Sequence, residues 1–357
     1  MVLKLLYPLV RYVSFFNIFQ YVTFRAAYAA ITALLIAFLF GPWVIARLRS
    51  LKAAHRVRED VPESHQAKAG TPSMGGVLIV LSITFSVLIW QDPSTVYTWM
   101  LLAAVLGYGG IGFADDLLKL YRHKGLAAGV KFGGQIVVSC GIVALLYLNR
   151  NEHTTLLYLP FAKRAVIDLG WSYAPFAVLL LTWYSNSVNL TDGLDGLATG
   201  LVILVGVSVA VLAYLTGRAD WAGYLGIPFI KGSWEIAIFC LAMVGASVGF
   251  LWFNAHPAEV WMGDTGSLAL GGALGVVSLI IKKEVLLLVL GGVFVLEGLS
   301  VVIQVASFKL TGRRVFRMAP LHHHFELSGW PENRVVTRLW ILGALFALLG
   351  LSTLKIQ

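Results

Sequence analysis

Apolar runs close to the length of a bilayer-crossing helix recur along almost all of this chain. They lie at about 24–46, 74–91, 97–114, 131–148, 175–189, 197–216, 234–253, 264–281, 285–307 and 335–354. About 20 predominantly apolar residues span the hydrocarbon core as a helix. Inside that core every backbone polar group needs an internal partner, so only helices and closed barrels cross it. No run alternates over about ten residues between regular turns, as a barrel strand would. The expectation is an all-α polytopic membrane protein of about ten transmembrane helices, forming a single domain over residues 1–357. Composition agrees: 58% of the 357 residues are hydrophobic and 13% charged, against roughly 45 to 50% apolar in a soluble domain. Residues Met1 to Arg25 carry Lys4, Arg11 and Arg25 among aromatics and read as an amphipathic interfacial helix. No small-residue cleavage site follows a short apolar core there, so a removable signal peptide is not expected.

Lys and Arg in connecting loops are retained on the cytoplasmic side. Arg47, Arg49, Lys52, Arg56, Arg58 and Lys68 follow the first run, Lys119, Arg122, Lys124 and Lys131 follow the third, and Lys309, Arg313, Arg314, Arg317 and Arg334 follow the ninth. The opposite loops are poor in basic residues: 91–97 has none, and 217–233 has only Arg218 and Lys231. Both termini are therefore expected outside. The apolar segments on either side of Pro160, over 154–169, read as a small hairpin on the outer face.

Against this background five aspartates stand out: Asp115 and Asp116, Asp192 and Asp195, and Asp264. A carboxylate at bilayer depth costs about 2.5 to 3.5 kcal/mol on insertion scales, so such residues usually face a cavity. An even number of crossings separates each pair of acidic stretches, which places all five aspartates on the cytoplasmic edge. The run Leu321-His322-His323-His324-Phe325-Glu326 falls on the same side. One inward-facing site is thus expected to gather the polar clusters.

Asp115 and Asp116 lie four and three residues before Lys119, within reach on one helical turn. That spacing suits a salt-bridged helix end, and equally a cation site with a phosphate, because adjacent carboxylates repel unless compensated. Asn186 and Asn189 stand one turn apart before Asp192-Gly193-Leu194-Asp195, a capped turn or a substrate loop. Trp261 precedes Asp264 as an interfacial aromatic or a platform for a base. Three acidic turns on one face favour a divalent cation held with phosphate oxygens, the Mg²⁺ pattern, over three separate caps. Consecutive His322, His323 and His324 seldom converge on one ion and instead suit phosphate or proton handling. Cys140 and Cys240 lie inside apolar runs and read as packing residues. The net charge of +9 suits anionic headgroups and anionic substrates. Nucleic acid is not an expected partner, since no soluble module is present to hold it.

Phe113-Ala-Asp-Asp-Leu-Leu-Lys119, Asn186-Ser-Val-Asn-Leu-Thr-Asp-Gly-Leu-Asp-Gly-Leu197, Met262-Gly-Asp-Thr-Gly-Ser267 and Pro320-Leu-His-His-His-Phe-Glu326 together resemble the bacterial phospho-N-acetylmuramoyl-pentapeptide transferases. Lys68-Ala-Gly-Thr-Pro-Ser-Met-Gly-Gly76 extends the likeness to the first inward loop. The first three motif types belong to the wider polyprenyl-phosphate N-acetylhexosamine-1-phosphate transferase superfamily, and the histidine motif narrows the choice. The resemblance implies a Mg²⁺-dependent enzyme of the bacterial inner membrane, with periplasmic termini and a cytoplasm-facing site. It would transfer phospho-N-acetylmuramoyl-pentapeptide from UDP-MurNAc-pentapeptide to undecaprenyl phosphate, giving lipid I and UMP. A homodimer in the lipid bilayer is also implied.

By the same resemblance, Asp264 is the first choice of metal ligand, with Asp115 and Asp116 beside the metal and one of them a base or a nucleophile. Asn186, Asn189 and Asp192 would order the diphosphate, and Lys119, Lys131 and His323 would meet phosphate charge. Lys68, Gly193, Leu194, Asp195 and Trp261 would surround the uridine, with Gln304, His322 and His324 nearby. The competing readings are a GlcNAc-1-phosphate transferase of the same superfamily, an ion-coupled transporter with acids at the midplane, and a lipid-binding scaffold. The last leaves the aspartates without a purpose.

Overall fold

The structure, a computed structural model, describes residues 2–51, 70–122, 124–160 and 166–355. The amino-terminal segment is not one amphipathic helix. It forms α1 (Val2–Leu6) and two 3-10 helices, Tyr7–Arg11 and Ser14–Gln20, interrupted early by Pro8, whose nitrogen carries no proton to donate.

Helices then follow in the order α2 (Val22–Ser50), α3 (Gly76–Trp90), α4 (Val96–Arg122), α5 (Ala128–Leu148), α6 (Tyr173–Thr191), α7 (Leu197–Gly217), α8 (Ala219–Leu225), α9 (Trp234–Asn254), α10 (Gly263–Ile280), α11 (Glu284–Leu290), α12 (Gly292–Thr311), α13 (Leu321–Glu326) and α14 (Glu332–Ser352). Among the described residues eight of these are long and apolar enough to cross a membrane: α2, α4, α5, α7, α9, α10, α12 and α14. The second expected run is helical as α3 but only 15 residues long. The fifth is α6, whose polar residues include Thr182, Ser185, Asn186, Ser187 and Asn189. The ninth run is two helices: α11 and α12 meet at Gly291, where a side chain would overlap the Tyr184 hydroxyl. A continuous apolar composition conceals such a break.

Burial distinguishes the inner helices from the outer ones. Of the most apolar stretch of α10, 89% is buried, whereas the figure for α5 and for α12 is 28%. Helix α10 packs against α4, α6, α3 and α7, and α9 packs against α2 and α7. The outer faces of α5 and α12, bearing Phe132, Val137, Ile303 and Phe308, are apolar and exposed, as lipid contact demands.

A buried ion pair ties the end of the bundle opposite the aspartates. The Arg25 guanidinium donates to both carboxylate oxygens of Glu235, at 2.8 and 2.5 Å, and to the Trp90 carbonyl at 3.2 Å. Removing one member of such a pair typically costs about 3 to 5 kcal/mol, because its partner is left charged and dry. The expected hairpin is present as β1 (Leu156–Tyr158) and β2 (Val166–Asp168), antiparallel with Leu157 opposite Ile167. Lys282 pins this region: its ammonium donates to the Thr154 carbonyl at 3.3 Å, to the Tyr173 hydroxyl at 2.7 Å and to Glu284 at 2.5 Å.

Candidate active site

Helix termini converge at one end of the bundle, and the expected acids gather there. Asp115 and Asp116 sit in the last turns of α4 and Asp264 in the first turn of α10. These helices approach closely because Gly112 has no side chain: a Cβ there would overlap the Asp264 carbonyl oxygen. One oxygen from each of Asp115, Asp116 and Asp264 lies within 4.8 Å of the others.

Two lysines compensate the charge. Lys119 Nζ lies 2.7 Å from Asp115 Oδ2, 2.9 Å from Asp264 Oδ2 and 3.7 Å from Asp116 Oδ1. Lys131, from the first turn of the lipid-facing α5, reaches the same Asp264 oxygen at 2.5 Å and Asp115 Oδ2 at 3.9 Å. Both ammonium groups are partly exposed while the Asp115 and Asp116 carboxylates are buried. Positive charge is thus presented outward over a negative floor.

Adjacent in sequence, Asp115 and Asp116 point to different neighbours. Asp116 accepts from the backbone amides of Asp264 and Thr265, at 3.2 and 2.9 Å, and from the Thr265 hydroxyl at 2.7 Å. It therefore caps the amino terminus of α10 from a neighbouring helix, where unpaired N–H groups and the helix dipole favour an anion. Asp115 accepts the Leu126 amide at 2.6 Å and turns its other oxygen to the lysines. The donor set fits Mg²⁺, a hard ion that takes one or two carboxylates, keeps waters and accepts substrate phosphate oxygens.

Asp192, between α6 and α7, faces the same group. Burial, reinforced by the charges of Asp264 and Asp116, pushes its carboxyl well above the usual carboxylate range despite an opposing bond from the Gly263 amide. A carboxyl that binds its proton more tightly folded than unfolded contributes stability below the unfolded pKa of about 4, and that contribution is lost as pH rises towards the folded value. In chelator the melting temperature of the wild type is expected to fall across that window, and that of Asp192→Asn to fall less. Added Mg²⁺ should flatten the wild-type slope. Equal slopes for wild type and variant in chelator would remove Asp192 from this linkage.

A second polar group lies alongside. Asp195, 4% exposed, accepts from the Trp261 indole at 3.2 Å and the Ala258 amide at 3.1 Å, and His256 Nδ1 lies 3.1 Å away. Glu332, at the start of α14, accepts the Asp195 amide at 2.9 Å. The Trp261 ring is thereby fixed by its edge. Its backbone also pairs with the segment before α3: Trp261 N–H donates to the Pro72 carbonyl, and Gly75 N–H to the Trp261 carbonyl.

The remaining expected residues divide. Asn186 exchanges amide bonds with Gln135 of α5, at 2.7 and 3.3 Å, and Asn189 follows one turn on along α6. Gly193 and Leu194 complete the turn, with Leu194 buried. Of the histidines, His322 is wholly buried, His323 lies 2.9 Å from Glu326, and His324 accepts the Arg317 amide. Gln304 is engaged elsewhere, binding the backbone of Val315 and Phe316. Lys68 lies outside the described residues. Glu332, Thr265 and Glu297, which approaches His322 at 3.2 Å, were not singled out from sequence. Glu297 was open to discovery: it is an acid inside the ninth apolar run, and the cost that marked the aspartates applies to it too.

Comparison with known proteins shows the family. Residues 98–282 match the family model of glycosyl transferase family 4, and residues 68–80 match the phospho-N-acetylmuramoyl-pentapeptide-transferase signature 1. The phospho-N-acetylmuramoyl-pentapeptide-transferase of Desulfosudis oleivorans is 51% identical over 360 residues, covering the whole of both chains. Those of Syntrophus aciditrophicus and Citrifermentans bemidjiense are each 49% identical over the same full extent. With motifs, helical architecture and full-length identity in accord, the chain belongs to the phospho-N-acetylmuramoyl-pentapeptide-transferase family.

Proposed function

We propose that this protein transfers phospho-N-acetylmuramoyl-pentapeptide from UDP-MurNAc-pentapeptide to undecaprenyl phosphate, releasing UMP and leaving lipid I in the membrane. The observation that carries this reading is the junction of the charged cluster with an apolar groove. A cavity of about 650 Å³ between α5 and α6 is lined by Phe132, Ile136, Val143, Trp171, Ala174 and Val178. Phe132 directly follows Lys131, so a polyprenyl chain lying in the groove brings its phosphate to the ammonium pair.

In this reaction an oxygen of the lipid phosphate bonds to the phosphorus that carries the sugar, and the bond from that phosphorus to the UMP oxygen breaks. The barrier is largely one of bringing anions together in line. Lys119 and Lys131 draw both phosphates in and offset the developing charge. Asp115 is placed to take a proton from the acceptor phosphate, since its Oδ2 faces the two lysines that meet that phosphate, whereas Asp116 is turned to the α10 terminus. Mg²⁺, when bound by Asp264 with Asp115 and Asp116 beside it, supplies Lewis-acid stabilisation to the diphosphate. Trp261, edge-fixed by Asp195, gives a surface on which uracil stacks, and Asn186, Asn189 and Asp192 order the diphosphate. Lys68, His323 and His324 complete the substrate surroundings in this proposal.

The proposed setting is the bacterial inner membrane, with ten crossings formed by the eight long helices together with α3 and α6. Both termini are then periplasmic, the charged cluster faces the cytoplasm, and the protein is a homodimer. Purified protein given undecaprenyl phosphate, Mg²⁺ and either UDP-MurNAc-pentapeptide or UDP-GlcNAc is expected to release UMP only with the former. Release with UDP-GlcNAc alone would overturn the specificity.

A further inference from the structure

Glu297 lies in α12, one of the helices long and apolar enough to cross the membrane, and its carboxylate is wholly buried. Its Oε2 stands 3.2 Å from Nδ1 of His322 and 3.4 Å from the His322 amide. His322 is equally buried, and its ring is 4.2 Å from that of His323, centroid to centroid. The other ring nitrogen, Nε2, has no hydrogen-bond partner among the described residues, and neither does Glu297 Oε1. Nε2 is directed at Gly193, where a Cβ would overlap it. Three elements thus meet at one ring: α12 through Glu297, α13 through His322 and the α6–α7 turn through Gly193.

A buried carboxylate in an apolar helix is costly unless it is paired, so the pair is a specific arrangement rather than filler. The ring occupies the space that glycine leaves, and it does so directly behind the turn whose neighbouring residue is Asp192. We propose that Glu297 is a positioning residue for the transfer reaction. It orients His322 so that Nε2 supports the Asp192–Asp195 turn at Gly193 and holds that turn where the diphosphate is received. The inference rests on the transferase reading above. It adds to that reading a residue with no expected contact to substrate, acting through a second that stands behind the binding turn.

A displacement of reacting groups by about 1 Å can cost about a hundredfold in rate, and the ring meets the turn at Gly193, directly beside Asp192 and two residues from Asp195. Glu297→Ala and His322→Ala are therefore each expected to lower kcat for UMP release by about tenfold to a hundredfold, with KM for UDP-MurNAc-pentapeptide within about threefold. Because the two act through one contact, the double variant should be no more than about twofold below His322→Ala. Glu297→Gln, whose amide oxygen still accepts from Nδ1–H, should recover most of the rate. Gly193→Ala sets a methyl group against Nε2 without touching α12. It should impair the wild type and be tolerated in the His322→Ala background, which provides a steric test should Glu297→Ala fold poorly. Losses that multiply in the double variant, a Glu297→Gln as impaired as Glu297→Ala, or a Gly193→Ala equally harmful in both backgrounds would each overturn the proposal. If wild-type protein turns over and one of these results follows, this inference alone fails. Wild-type protein inert with UDP-MurNAc-pentapeptide would defeat the transferase reading, and this inference with it.

Discussion

Asp264→Asn is expected to lower the rate of UMP release by about a thousandfold while leaving a folded membrane protein. Removing one preorganised electrostatic group from a reaction centre costs about a hundredfold to a thousandfold. Here the loss is at the upper end, because the same oxygen draws in both lysines. Asp264 Oδ2 is 2.9 Å from Lys119 and 2.5 Å from Lys131. With that charge gone, the two ammonium groups repel each other, and Lys131 keeps only the 3.9 Å contact with Asp115 to aim it. The fold should survive, because the amide that Asp116 caps belongs to the Asp264 backbone and is untouched. Raising Mg²⁺ should restore little of the rate. Assays of UMP release at several Mg²⁺ concentrations, with melting curves alongside, check both halves. Full turnover by the variant would remove Asp264 from the metal site.

Gly112→Ala is expected to lower both stability and rate, by about 2 kcal/mol and about a hundredfold. The obstruction is not a side chain that can swing away. An added methyl group meets the carbonyl of Asp264 and the amide of Thr265, which are backbone atoms in the first turn of the most enclosed helix. Helix α4 must then move off α10, separating Asp115 and Asp116 from Asp264 and loosening the cap at Thr265. Gly110→Ala, two residues earlier on α4, meets nothing within 4 Å and serves as the control. Similar behaviour of the two variants, in melting temperature and in turnover, would refute the close-approach account.

The aspartates were legible in the sequence because their surroundings are so apolar that any acid must be explained. Their convergence followed from loop charge parity, and the termini of α4 and α10 do bring Asp115, Asp116 and Asp264 together. What the sequence withheld was direction. Successive residues on a helix point about 100° apart, so Asp115 and Asp116, equivalent in a motif, separate into one group facing the lysines and one capping α10. The division of the ninth run at Gly291 was hidden because apolar residues continue through it. Glu297 was visible as an acid but had no partner in sequence, since His322 lies 25 residues away on another element. The three histidines read as one cluster, yet a short helix turns them to three different neighbours.

Lys131 stands at the first turn of α5, a helix whose outer surface is mostly apolar and exposed. One of the two ammonium groups at the candidate centre is thus mounted on the wall between protein and lipid, while Asp264 is mounted on the interior rod. The spacing of these charges depends on two supports that feel different surroundings. Lateral pressure, bilayer thickness and headgroup composition bear more directly on the exposed first support than on the enclosed second. The membrane is then mechanically coupled to the site, because one of its two charged supports is a lipid-facing helix.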